Sequence, residues 1–171
     1  MGDQQLKAWF NAIDVDHSGR LDSKELQRAL AMGNLHYGLN DVDQMVRAFD
    51  VDGSRSLGFA EFSRLHYFLV NVQNSFQTFD RDCSGRLTPD EVAQALQQAG
   101  FQLDGPAMMA MISKFDPDNS GSLSLDEYIR ACLFLQTAAR TFGAFDPQRT
   151  GQVHLSFNQF VYAASHVGAG W

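Results

Sequence analysis

Five aspartates set at alternating intervals constrain this chain more than any other feature. Asp14, Asp50, Asp80, Asp116 and Asp146 are separated by 36, 30, 36 and 30 residues. The true period is therefore 66 residues, with two units in each period and one unit left over. Apolar residues stand four and one positions before each aspartate: Phe10 and Ile13, Val46 and Phe49, Phe76 and Phe79, Ile112 and Phe115, Phe142 and Phe145. A gap of three keeps both members of a pair on one face of a helix. The pattern accounts for many of the fourteen Phe in the chain, and it reads as core packing, the usual fate of large apolar side chains.

A short polar stretch follows each aspartate. In the first, DVDHSGRLDSKE, oxygen-bearing groups fall at positions 1, 3, 5, 7, 9 and 12: Asp14, Asp16, Ser18, the backbone carbonyl of Arg20, Asp22 and Glu25. Calcium takes six to eight hard oxygen ligands at about 2.3–2.6 Å, and the twelve-residue EF-hand loop supplies them at this spacing. Gly19 provides the positive φ of the sharp turn, and Glu25 is long enough to reach back and chelate with both oxygens. The third loop, DRDCSGRLTPDE, offers Asp80, Asp82, Ser84, the Arg86 carbonyl, Thr88 and Glu91 around Gly85. The fourth, DPDNSGSLSLDE, offers Asp116, Asp118, Ser120, the Ser122 carbonyl, Ser124 and Glu127 around Gly121. All three place a neutral Ser at position 5, where the strict motif has Asp or Asn. The first loop has the most carboxylates, so it is expected to bind at least as tightly as the others, within the sensor range of about 10⁻⁷–10⁻⁵ M.

The other two loops are weaker. The second, DVDGSRSLGFAE, has Asp50, Asp52, Ser54, the Ser56 carbonyl and Glu61, but Arg55 stands at the turn and Gly58 at position 9. A side chain forced into the left-handed region costs roughly 1–2 kcal/mol, so the sequence leaves the filling of this loop open. In the fifth, DPQRTGQVHLSF, Gln148 stands at position 3 and Phe157 at position 12. Without a bidentate carboxylate no calcium is expected there.

The spacings also predict the architecture, which is all-α: five helix–loop–helix units, about eight helices with two shared between units, and short antiparallel loop strands. The hands fall around 4–32, 41–68, 70–99, 105–135 and 136–167. A 36-residue interval accommodates an outgoing helix, a linker and an incoming helix, with linkers at 31–40 and 98–106. A 30-residue interval accommodates one continuous helix of about 27 Å between loops. One such helix carries the stripe Phe62, Leu65, Leu69, Val72, Phe76 and Phe79, and the other carries Tyr128, Cys132, Leu135, Ala139, Phe142 and Phe145. Loop strands leave backbone groups unpaired unless they meet a partner. Leu21 is expected to pair with Leu57, and Leu87 with Leu123. Val153 of the fifth hand has no partner in the chain, and a second copy of the same hand, giving a two-fold dimer, would supply one.

Composition removes several function classes. The net charge of −7 argues against nucleic-acid binding, which needs a basic face. Cys83 and Cys132 form no C-x-x-C, which points to a reducing, cytoplasmic setting. No apolar run reaches membrane-span length. The N-terminus MGDQQLKAWF has no signal-peptide character, and Leu6 stands where a myristoylation signal needs Ser or Thr. With no G-x-S-x-G, phosphate loop or H-E-x-x-H, and five scattered His, the chain is not expected to be an enzyme.

On the 36/30/36/30 spacing, the two shared helices and the unpaired fifth hand, the chain resembles the penta-EF-hand family, of the sorcin and grancalcin type. The segments FNAIDVDHSGRLDSKELQRAL and FQTFDRDCSGRLTPDEVAQAL carry the likeness, as do Phe160 and Val161, which fall where a lengthened fifth loop would place its helix anchors. The resemblance implies calcium in the first and third hands, on Asp14, Asp16, Ser18, Arg20 and Glu25 and on Asp80, Asp82, Ser84, Arg86 and Glu91. It also implies a homodimer, or a heterodimer with a related chain, through the fifth hand, and calcium-triggered binding to protein targets or membranes. In one departure from the family, only a few residues precede the first helix where a Gly/Pro-rich tail is usual.

The expected function is a calcium sensor and adaptor that exposes apolar surface on binding the ion. Met108, Met109 and Met111 are candidates for an adaptable groove. A calcium buffer, a structural dimer that does not open, and a calpain-like regulatory subunit of a protease are the alternatives.

Overall fold

The computed structural model describes residues 2–167. Among them are eight helices and four two-residue strands. Helices α1 (Asp3–Ile13) and α2 (Ser23–Met32) flank the first loop, and α3 (Leu39–Phe49) and α4 (Phe59–Phe79) flank the second. Helix α4 continues into the third loop, which α5 (Pro89–Gln98) leaves. The fourth loop lies between α6 (Gly105–Phe115) and α7 (Leu125–Phe145), and the fifth between α7 and α8 (Phe157–Val167). Both 21-residue helices, α4 and α7, are unbroken, as the 30-residue intervals require.

Strands β1 (Arg20–Leu21) and β2 (Leu57–Gly58) pair antiparallel, with Leu21 opposite Leu57 and Arg20 opposite Gly58. Strands β3 (Arg86–Leu87) and β4 (Leu123–Ser124) repeat this, with Leu87 opposite Leu123. All four leucines are fully buried. Side chains alternate faces along a strand, so burying Leu21 and Leu87 turns Arg20 and Arg86 to the other side, toward the neighbouring loop.

One apolar core runs through the first four hands, with aromatic contacts such as Trp9 on Phe62 at 5.3 Å, Phe49 on Phe68 at 5.5 Å and Phe76 on Tyr128 at 5.9 Å between ring centres. The α4 stripe is buried along its whole length. The α7 stripe departs from expectation. Tyr128, Cys132 and Leu135 are buried, but Ala139 and Phe142 are exposed and Phe145 is only partly covered. The C-terminal half of α7 touches α3 through Arg140, whose Nη1 donates to the Ala48 carbonyl at 2.9 Å, and packs on α8, which itself contains no buried residue, so among the described residues nothing closes over that end of the stripe. The Met cluster is likewise divided: Met111 is buried, Met108 half-buried and Met109 exposed. No helix among the described residues is long and apolar enough to cross a membrane.

Candidate metal centres

Each loop is organised by its first aspartate. Asp14 accepts the backbone N–H groups of Ser18 at 3.0 Å and Gly19 at 2.8 Å on its two oxygens. Asp80, Asp116 and Asp146 accept the N–H groups at positions 5 and 6 in the same way. Backbone N–H donors turned into the loop leave its carbonyls and carboxylates free to face a cation. Position 6 is left-handed in every loop: Gly19, Gly85, Gly121 and Gly151 have φ between 75° and 77°, and Arg55 adopts 62°. Position 4 is left-handed as well, at His17, Gly53, Cys83, Asn119 and Arg149. In the second loop a glycine thus relieves position 4 while the strain falls on Arg55. The sequence reading considered position 6 alone.

The position-12 glutamates double as helix caps. Asp22 and Glu25 cap α2 reciprocally, with Glu25 N–H donating to Asp22 at 2.8 Å and Asp22 N–H donating to Glu25 Oε2 at 3.0 Å. Val15 N–H fixes the other oxygen, Oε1, at 2.9 Å. This arrangement aims the carboxylate into the loop. Carboxylate oxygens of Asp14, Asp16 and Glu25 lie within 4.8 Å of one another, as do those of Asp50, Asp52 and Glu61 and those of Asp116, Asp118 and Glu127. Hard oxygens at this density suit calcium, and Ser18 and the Arg20 carbonyl extend the first set. Hydrogen bonds from the Ser18 hydroxyl and amide hold Asp16 below the usual carboxylate range, and Ser84 does the same for Asp82.

The third loop is built alike but is more open. Its Asp80, Asp82 and Glu91 do not form a comparably close group, and the contact from Arg81 N–H to Glu91 Oε1 is long at 3.4 Å. Glu91 instead rests on the amide and hydroxyl of Thr88, both at 2.9 Å, which lower its pKa.

The fifth loop corrects the expected alignment. Ser156 N–H donates to Gln159 Oε1 at 2.9 Å, and Gln159 N–H donates to Ser156 Oγ at 3.3 Å. This is the Asp22–Glu25 capping pair again, so Gln159 and not Phe157 takes the place of the twelfth residue. The loop is two residues longer than the others, and Phe157 becomes the first residue of α8. A Gln offers one neutral oxygen in place of a bidentate carboxylate, so this donor set does not fit calcium.

Arg20 and Arg86 have a role that loop-by-loop reading did not find. Arg20 Nη2 lies 3.0 Å from both carboxylate oxygens of Asp52, 3.1 Å from the Ser56 carbonyl and 3.2 Å from Glu61 Oε2, and it also contacts Ser54 Oγ. Arg86 Nη2 meets Asp118 at 3.2 Å, the Ser122 carbonyl at 2.9 Å, Glu127 at 3.1 Å, and Ser120 Oγ. Those are positions 3, 5, 7 and 12 of the second and fourth loops. The signal was in the sequence: Arg stands at position 7 of the first and third loops, and Ser at position 7 of their strand partners.

Comparison with known proteins agrees with this geometry. The EF-hand domain pair family matches residues 3–66 and 70–133. The chain is 31% identical over 155 residues to penta-EF hand domain-containing protein 2 of Dictyostelium discoideum, covering 91% of this chain and 75% of that protein. It is a penta-EF-hand protein. This penta-EF-hand chain is also 35% identical over 162 residues to mouse (Mus musculus) peflin, covering 93% of itself but only 58% of peflin. It thus spans little more than half the length of that relative. A solved structure of a homolog of programmed cell death 6 protein from Leishmania major Friedlin superposes with a TM-score of 0.71 at 32% identity, covering 96% of this chain and 95% of that one. Calcium is the ion of this penta-EF-hand protein.

Proposed function

We propose that the chain is a cytoplasmic calcium sensor and adaptor that works as a dimer through its fifth hand. The first loop carries the reading: three carboxylates are gathered within one loop, and backbone N–H groups aim Glu25 among them. Asp14, Asp16, Ser18, Arg20 and Glu25 form its ligand set. Asp80, Asp82, Ser84, Arg86 and Glu91 form a second set, which closes on the ion by drawing Glu91 inward.

Helix α8 supports the dimer. Phe157, Phe160, Val161 and Tyr162 are all exposed on it, and residues 152–156 form no strand. A second copy would cover that face and pair the loop backbone. An apolar cleft of about 250 Å³ between α4, α5 and α7, lined by Phe68, Val72, Leu96, Phe101, Tyr128 and Cys132 among others, suits an apolar side chain of a protein target. Calcium would change its shape by moving the helices that wall it.

A calorimetric calcium titration in millimolar magnesium, with a hydrophobic dye and sedimentation on the same samples, tests the reading. Filled sites, dye binding on filling and a dimer mass are expected. Filled sites without dye binding would make the chain a buffer or structural dimer, and no calcium binding would overturn the reading.

A further inference from the structure

The geometry points to Arg20 and Arg86 as built-in cations that keep calcium out of the second and fourth hands until they withdraw. This rests on calcium being the ion of the first and third hands, and goes beyond it.

Arg20 Nη2 carries two hydrogens, yet five oxygens from Asp52, Ser54, Ser56 and Glu61 surround it within 3.2 Å. So many acceptors around two hydrogens place the guanidinium end inside the donor shell of the second loop, where its positive charge faces the carboxylates of Asp52 and Glu61. Its Nε is docked separately, donating to Ser56 Oγ at 2.7 Å. Arg86 does the same one period later, with Nε donating to Ser122 Oγ at 2.8 Å and Nη2 ringed by Asp118, Ser120, Ser122 and Glu127. Every member of the second constellation lies 66 residues after its counterpart in the first. The arrangement thus recurs independently in two strand pairs of the same chain.

An ion bound through the oxygens of positions 3, 5, 7 and 12 needs the volume that Nη2 fills. Calcium can enter only as the guanidinium leaves. Its apparent affinity is then lowered by the fraction of molecules in which the arginine is out. Each arginine also serves the adjoining site, because its backbone carbonyl is the position-7 ligand of its own loop. One residue therefore donates to one metal site and blocks the next. The blocked state retains full carboxylate sets at Asp50, Asp52 and Glu61 and at Asp116, Asp118 and Glu127, so the second and fourth hands keep the ability to bind. The donor count of the fourth loop, which by itself predicts a filled site, omits this competitor.

The test is calcium calorimetry on the full chain, comparing wild type with R20M, R86M and the double variant. Methionine keeps an unbranched stem and the backbone ligand while removing the charge. Wild type should show two sites in the micromolar range, each single variant three, and the double variant four, with the new sites at least tenfold tighter than any residual wild-type binding there. In EDTA each single variant should melt about 2–4 °C below wild type, because the carboxylates lose their counter-charge, and calcium should restore the loss. S56A and S122A, which remove the Nε acceptors and the hydroxyl contacts to Ser54 and Ser120 but leave the arginines in place, should give a smaller gain in affinity and guard against misfolding of the arginine variants. Four equally tight wild-type sites would overturn the proposal, as would unchanged stoichiometry and affinity in the folded double variant. A wild type that binds no calcium at its first hand would overturn the calcium reading itself, and would be seen before any variant is compared.

Discussion

The backbone N–H of Val15 reaches Oε1 of Glu25 at 2.9 Å, tying the second position of the first loop to the twelfth across ten residues. With Asp22 N–H on the other oxygen, the carboxylate is oriented by the backbone and needs little reordering to chelate. Glu25→Gln keeps the shape but removes a charge and one chelating oxygen. It is expected to weaken the first site on the order of a hundredfold, ~2.8 kcal/mol. Calorimetry would read the loss, with helix content by circular dichroism unchanged. Retained affinity would mean that the first site is not built on Glu25.

Leu21 and Leu57 lock the first two hands together with no exposure at all. Leu57→Ala should cost about 2–5 kcal/mol of stability through lost burial and the cavity left behind, a fall of roughly 5–15 °C in Tm. Because Leu57 adjoins the strand that positions Arg20, calcium binding at the first hand should weaken as well. A Tm within 2 °C of wild type would contradict the role given to this pair.

The face of α8 is expected to be covered by a second chain. Phe160→Glu places a charge on it and should weaken dimerisation at least a hundredfold, giving a monomer in sedimentation at micromolar concentration where wild type is dimeric. Helix α8 packs on α7 and carries none of the first hand's candidate ligands, so that hand should bind calcium as before. A wild type that sediments as a monomer with and without calcium would rule the dimer out.

The two cysteines should behave differently. Cys83 is exposed, whereas burial pushes the Cys132 thiol up to about 12. At pH 8 a thiol reagent should label one equivalent in the native protein and two after denaturation. The folded state holds the Cys132 proton more tightly than the unfolded chain does. This contribution is therefore complete below the ordinary thiol value near 9 and is lost as pH rises toward 12. Stability should decline from about pH 9 upward, and Cys132→Ser should remove part of that decline. Rapid native labelling of both thiols would contradict the burial.

Much of the fold was legible because its rules are local. The Asp spacing set the helix lengths, the paired apolar residues set the helix faces, and the buried leucines set the strand register. The candidate ligands of each loop were legible for the same reason, since an EF-hand chelates within twelve residues. In the fifth loop Phe160 and Val161 pointed to a lengthened loop, but Leu155, Ser156 and Phe157 satisfy no ligand rule that would name its last position. The capping bonds between Ser156 and Gln159 name it.

By itself, then, the sequence determined five hands, two shared helices, four paired strands and the chemistry of each loop. The tertiary structure decided which cation faces which loop. Arg20 and Asp52 are 32 residues apart, and nothing in either loop read alone connects them. The antiparallel pairing that buries Leu21 and Leu57 points Arg20 away from the core and into its neighbour. The tertiary structure also decided where the core stops. Phe142 repeats the pattern of Phe76, yet Phe76 is buried against Tyr128 of α7 while Phe142 is left exposed. Burial depends on what another segment brings to a face, and periodicity specifies only that the face exists.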